Sequence, residues 1–137
     1  MIVIDASSLT KYVLREKNWE EIKEYLLYND VVSIDLVIKE VLNAIWKHYS
    51  LLKLISLETA YAKKNILLKI TNEGIIEIES QDKYLDLAFE LALENKITIY
   101  DALYIAQAIK KHAELLTSDE KQAKIAKSIN INTIFVP

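Results

Sequence analysis

The sequence predicts an α/β protein built on a parallel sheet that carries helices on both faces. Two observations lead to this. Short apolar runs of strand length alternate along the chain with stretches whose apolar residues recur at helical spacing. Turn formers are almost absent, with Gly74 the one glycine and Pro137 the one proline among 137 residues. That scarcity excludes the many tight turns of an all-β sandwich or barrel. Hydrophobic residues make up 52% of the chain, enough for a sizeable core in one domain spanning residues 1–137.

The elements follow in order. Met1–Ile4 is a short apolar run closed by Asp5 and reads as a buried first strand. Ser7 or Ser8 can cap a helix with Leu9, Tyr12 and Val13 on its apolar face. Trp19–Tyr28 repeats the helical spacing through Ile22, Tyr25 and Leu26, Asn29–Asp30 turns the chain, and Val31–Ile34 is a second strand. Asp35–Tyr49 is a helix, with Ile38, Val41, Leu42, Ile45 and Tyr49 on one side. Ser56 opens another that runs to about Thr71. Gly74 breaks it before a third strand, Ile75–Ile78. Ser80 can cap a helix over Leu85–Leu93, and a further helix begins near Asp101 and runs through Ile109. Glu114–Leu116 is a short strand, and Thr117 with Glu120 has capping-box spacing for a helix over Gln122–Ile129. Thr133–Val136 is the last strand.

Composition narrows the function. No cysteine is present, which excludes a disulfide framework and any thiolate metal site. The expected setting is the cytoplasm: no signal peptide opens the sequence, and no apolar run approaches the roughly 20 residues that span a bilayer. The net charge is −3, so a polyanionic partner would need metal ions or local basic patches. Lysine greatly outnumbers arginine. That bias is shared by heat-loving organisms and AT-rich coding sequences, and it identifies neither.

Four acids stand out by position. Asp5 and Asp119 fall just past the ends of predicted strands, where open α/β sheets bind ligands. Asp101 opens a helix, and Glu40 lies within one. Alone, each has an ordinary explanation: a cap, a first-turn acid favoured by the helix dipole, a solvated surface glutamate. Together they can be turned toward one crevice. Unit charges about 4 Å apart repel by roughly 4 kcal/mol at an effective dielectric of 20. Hard divalent cations resolve such repulsion, and without cysteine an oxygen site is the natural one.

These residues resemble the PIN domain, and within it the VapC-type toxins of toxin–antitoxin pairs. The matching segments are Ile-Val-Ile-Asp5-Ala-Ser-Ser, Lys39-Glu40-Val-Leu-Asn43-Ala, Tyr100-Asp101-Ala-Leu-Tyr-Ile-Ala-Gln-Ala and Leu-Leu-Thr117-Ser-Asp119. The resemblance implies a Rossmann-like three-layer sandwich around a central parallel sheet of about five strands. It implies RNA hydrolysis dependent on Mg²⁺ or Mn²⁺, one or two ions, by a homodimer held inactive by an antitoxin. The acidic positions map onto Asp5, Glu40, Asp101 and Asp119, with Asp5 and Asp101 as principal metal ligands. Thr117, Asn43 and Ser7 support them. Lys11 and Arg15, one helical turn apart, and Lys47, on the face of Glu40 and Asn43, are candidate phosphate contacts.

His48 and His112 read as surface residues near helix ends. Trp19 and Trp46 read as core or interface anchors rather than as base platforms, and Tyr25, Tyr28 and Trp46 as core in preference to a dimer or antitoxin surface. An aspartate-nucleophile phosphatase would want an acid where Ser7 stands. A receiver domain would want paired acids near the start. The alternatives that remain are a non-catalytic module binding RNA or protein, and a housekeeping nuclease without an antitoxin.

Overall fold

A computed structural model describes all residues, 1–137. The strands are β1 (Ile2–Ile4), β2 (Val31–Ile34), β3 (Ile76–Glu79), β4 (Glu114–Thr117) and β5 (Thr133–Phe135). The helices are α1 (Ala6–Leu14), α2 (Trp19–Tyr28), α3 (Leu36–Ser50), α4 (Leu57–Asn72), α5 (Leu85–Asn95), α6 (Ile99–Lys111) and α7 (Glu120–Ser128). A 3₁₀ turn, Gln81–Tyr84, leads into α5. Every expected strand and helix is present.

The sheet is parallel throughout, in the order β3-β2-β1-β4-β5. β1 lies at the centre and is wholly buried, which is why it reads as an unbroken apolar run. The chain moves outward from β1 through β2 to β3, then crosses back over β1 to β4 and β5. Parallel crossovers are right-handed, so this reversal puts α1–α4 on one face and α5–α7 on the other. The helices α1, α3 and α4 pack against one another, whereas α6 packs on β1, β2 and β4 with α5 beside it. All residues from Ala102 to Ala108 are buried. The small side chains of Ala102, Ala106 and Ala108 let α6 sit close to the sheet.

Helix starts depart from the expected caps. Asp5, extended at φ −90° and ψ 174°, caps α1, while Ser7 and Ser8 lie inside the helix. Asp119 rather than Thr117 caps α7, because Thr117 is still in β4. The helix that holds Asp101 begins at Ile99 with Thr98 as its cap. Helix ends explain the lack of glycine. Arg15, Lys96 and His112 take the left-handed conformation that usually falls to glycine, at φ 57°, 54° and 50°. The positive charge of Arg15 and Lys96 at a helix C-terminus recovers part of the strain.

Some expectations about packing do not hold. Tyr28 is 80% exposed and Trp46 52% exposed, so neither belongs to the core. No element covers the outer sides of α2 and α3 that carry them. Trp19 is half-buried against Tyr12, with ring centroids 6.2 Å apart, and Tyr25 is also partly buried. His48 is half-buried as well, its Nδ1 2.9 Å from the Ala44 carbonyl and its Nε2 3.9 Å from Glu16. His112 is exposed, as expected.

Glu79, at the end of β3, ties α6 and the turn before α5 to the sheet edge. It accepts hydrogen bonds from the Tyr84 hydroxyl at 2.6 Å, Gln107 Nε2 at 2.9 Å and Lys111 Nζ at 3.1 Å. Burial works to raise its pKa, but these donors outweigh burial and hold it at about 2. Folding therefore favours the ionised carboxylate. Its stabilisation is complete above the ordinary value of 4.5 and is lost as pH falls from there toward 2.

Two measurements test this description. Lys96→Gly removes left-handed strain and is expected to raise stability by about 0.5–1 kcal/mol in urea unfolding. Glu79→Gln is expected to lower stability at pH 7 by about 1.5–3 kcal/mol and to flatten the fall in stability between pH 4.5 and 2. An unchanged acid limb would contradict the Glu79 assignment.

Candidate functional site

The strand order reverses at β1 and β4, and the crevice beyond their carboxyl ends holds the site. Ile4 pairs with Leu116, so the next residues, Asp5 and Thr117, emerge side by side. The Asp5 amide donates to the Leu116 carbonyl at 3.1 Å and locks that register.

Asp5 is buried, 4% exposed, and every neighbour that touches its carboxylate is a donor. Ser7 Oγ donates to Oδ1 at 2.6 Å, the Ser8 amide to Oδ1 at 3.1 Å, and Thr117 Oγ1 to Oδ2 at 2.5 Å. A carboxylate has about four acceptor positions, so these leave one free on Oδ2. With Asp5 ionised, both hydroxyl protons point at it. The 3.2 Å approach of Ser7 to Thr117 then carries no hydrogen bond of its own. Burial pushes the Asp5 pKa up to about 6 against these three donors, and the nearby charge of Asp119 adds to the rise.

The other acids are linked to Asp5 and to one another by their charges. Asp119 is exposed and caps α7, its Oδ1 accepting from the Gln122 amide at 3.1 Å. Asp101 is half-buried in the first turn of α6, its pKa raised by burial and then by the charge of Asp119. Glu40 projects from α3, and burial followed by the charge of Asp101 raises its pKa against the hydrogen bond it receives from Tyr104. Electrostatic contact therefore runs from Glu40 to Asp101 to Asp119 to Asp5. Asp5 and Asp119 cap helices and Asp5 also feels the charge of Asp119, so a capping role does not remove either from the site.

Reasoning from the sequence missed several residues here. The buried Tyr104 donates its hydroxyl to Glu40 Oε1 at 2.6 Å and fixes that side chain. Tyr104 lies one helical turn beyond Asp101, and that spacing was the available signal. Gln122 Nε2 donates to the Asp101 carbonyl at 3.0 Å and joins α7 to the start of α6. Ser118 bonds to Ser7 through its amide, at 2.9 Å, and to Ser8 through its hydroxyl, also at 2.9 Å.

Two open clefts flank Glu40. The first, about 400 Å³, is lined by Ser7, Thr10, Lys11, Glu16, Glu40 and Ser118 among others. The second, about 320 Å³, is lined by Leu36, Lys39, Glu40, Asn43 and Tyr100. Of the expected phosphate contacts, Lys11 lines the first cleft, with its Nζ 3.0 Å from the Lys17 carbonyl. Arg15 lines neither, because its guanidinium lies 3.8 Å over the Trp19 ring. Lys47 is exposed and also lines neither.

No three His, Asp or Glu side chains converge closely enough to enclose a metal ion unaided. The donor chemistry nevertheless fits a hard divalent cation. The four acids offer only oxygen, and the charge of one acid raises the pKa of the next. Mg²⁺ commonly takes one or two carboxylates and keeps several waters, so a closed cage of three is not required.

Comparison with known proteins supplies the family. A family profile for the PIN domain matches residues 2–128. The chain belongs to the PIN domain family. Ribonuclease VapC3 from Pyrobaculum aerophilum is 31% identical over 134 residues, covering 90% of this chain and 92% of that protein. Exonuclease VapC9 from the same organism is 28% identical, covering 98% of this chain and 92% of that protein. The crystal structure of VapC20 from Mycobacterium tuberculosis, described as a sarcin-ricin loop cleaving toxin, matches this PIN domain with a TM-score of 0.72. It covers 99% of this chain and all of that one at 14% identity, and so attests the fold. No helix is long and apolar enough to cross a membrane.

Asp101→Asn tests whether the acids repel one another. Because burial and Asp119 both disfavour the charged form of Asp101, the variant is expected to keep the fold and to unfold at the same or a higher temperature. A marked loss of thermal stability would make Asp101 a structural residue instead.

Proposed function

We propose that this PIN domain is a metal-dependent endoribonuclease, the toxin of a toxin–antitoxin pair acting in the cytoplasm. The observation that supports this is the chain of mutual charge effects linking Asp5, Asp119, Asp101 and Glu40 near the reversal point of the sheet, in a chain related to a VapC ribonuclease. Asp5 and Asp101 would hold the principal Mg²⁺ or Mn²⁺ ion, Glu40 would support it, and Asp119 would help hold a second ion or a water. When bound, such ions activate water for attack on phosphorus and steady the leaving oxygen.

The chain's own residues set the stage for that step. Ser7 and Thr117 hold the Asp5 carboxylate in one orientation and leave its free acceptor position for a ligand. Tyr104 aims Glu40, and Gln122 fixes α7, which carries Asp119, against the start of α6. Lys11 supplies positive charge at the wall of the first cleft, where a phosphate of the RNA would pass.

An antitoxin fits the exposed apolar groove between α3 and α4, lined by Trp46, Tyr49, Leu57 and Tyr61 among others. A homodimer would cover further apolar surface. The relative described as an exonuclease favours a second reading, in which cleavage proceeds from RNA ends.

One assay tests both readings. Linear and circular RNA are incubated with Mg²⁺ or Mn²⁺, with chelator, and with Asp5→Asn. The proposal expects cleavage of both RNAs that chelator abolishes. It also expects a loss of at least about a hundredfold in Asp5→Asn, since even residues behind the ligands of a metal site cost 10–100-fold when changed. Cleavage of linear RNA alone would establish the exonuclease, and metal-independent RNA binding without cleavage would establish a binding module.

A further inference from the structure

Tyr100 is out of keeping with its surroundings. The residues from Ala102 to Ala108 are buried, yet Tyr100, one position before Asp101, leaves 56% of its surface in water. Tyr100 lines the second cleft together with Leu36, Lys39, Glu40 and Asn43. Glu40 also lines the first cleft, with Ser7, Lys11 and Ser118. The two clefts share Glu40 as a wall, with Lys11 lining one and Lys39 the other.

The groups lining these clefts match the parts of a nucleotide. An open aromatic face takes a base by stacking, without regard to its identity. An amide beside it can bond to the edge of a base, and an ammonium can pair with a phosphate. The charges of Lys39 and Glu40 are of the kind depleted from the core of a protein-docking face. A base inside a duplex has its faces covered by its neighbours and cannot reach Tyr100 without leaving the stack.

We infer that Tyr100 is a stacking platform for an unpaired base of single-stranded RNA next to the cleaved bond, with Lys39 holding the adjoining phosphate. This rests on the nuclease reading and adds to it a residue that binds the strand. Tyr100 acts by binding and positioning the strand and takes no part in the chemical step.

The probe is a single-stranded RNA carrying 2-aminopurine at successive positions, whose fluorescence falls on stacking. Quenching is expected at a position flanking the cleaved bond with the natural protein and with Tyr100→Phe, and is expected to vanish with Tyr100→Ala. Circular dichroism checks that each variant folds. An abasic nucleotide at that position is expected to raise KM about tenfold for the natural protein and to add nothing to Tyr100→Ala. The same sequence held in a duplex is expected to resist cleavage. If the abasic and Tyr100→Ala penalties multiply, or if Tyr100→Ala cleaves with unchanged KM, the stacking inference falls while the nuclease reading stands. If the natural protein cleaves nothing with either metal, the nuclease reading falls. The quenching pattern then decides the platform alone: site-specific quenching lost in Tyr100→Ala keeps it, and no quenching overturns it.

Discussion

The site depends on a carboxylate buried at the end of the central strand. Asp5 sits where water is excluded, and an ionised group there is costly unless donors surround it. Ser7, Ser8 and Thr117 supply those donors, two from the helix that Asp5 starts and one from the neighbouring strand. They reduce the cost without removing it, and the pKa of Asp5 remains raised. A cation at the remaining acceptor position would reduce it further. The geometry that makes Asp5 expensive is thus the geometry that prepares it to bind.

The sheet order extends this local arrangement across the crevice. Because β4 lies against β1, the turn after β4 brings Ser118 and Asp119 to the first turn of α1. Because α6 packs on β1 and β2, its first turn brings Asp101 near enough to feel the charge of Asp119 and to act on Glu40. Tyr104 and Gln122 then act as struts between elements distant in sequence. Glu79 does comparable work at the edge of the sheet, where it has cationic partners and no share in the acidic cluster.

Much of this was legible in the sequence, for reasons that differ by residue. Ile2–Ile4 and Val31–Ile34 announce buried strands because both their faces meet helices. The helix of Leu36–Ser50 shows its apolar stripe because only one side meets the protein. Boundaries were less legible. Ser7 and Ser8 are good capping residues, but Asp5 reached the cap position first, and their hydroxyls turned to Asp5 and Ser118. Tyr28 and Trp46 looked like core because side-chain chemistry alone does not say which face of a helix is left uncovered.

The sequence by itself determined the alternation of strands and helices, the absence of thiolate chemistry, and the positions of acids at strand and helix ends. These follow from periodicity and residue type, which are local. Only the tertiary structure decided that Lys11 borders the crevice while Arg15 lies over Trp19, that Tyr104 holds Glu40, and that Tyr100 stays open to water beside Asp101. Those outcomes depend on which elements become neighbours, and neighbours are chosen by strand order and packing across the whole chain.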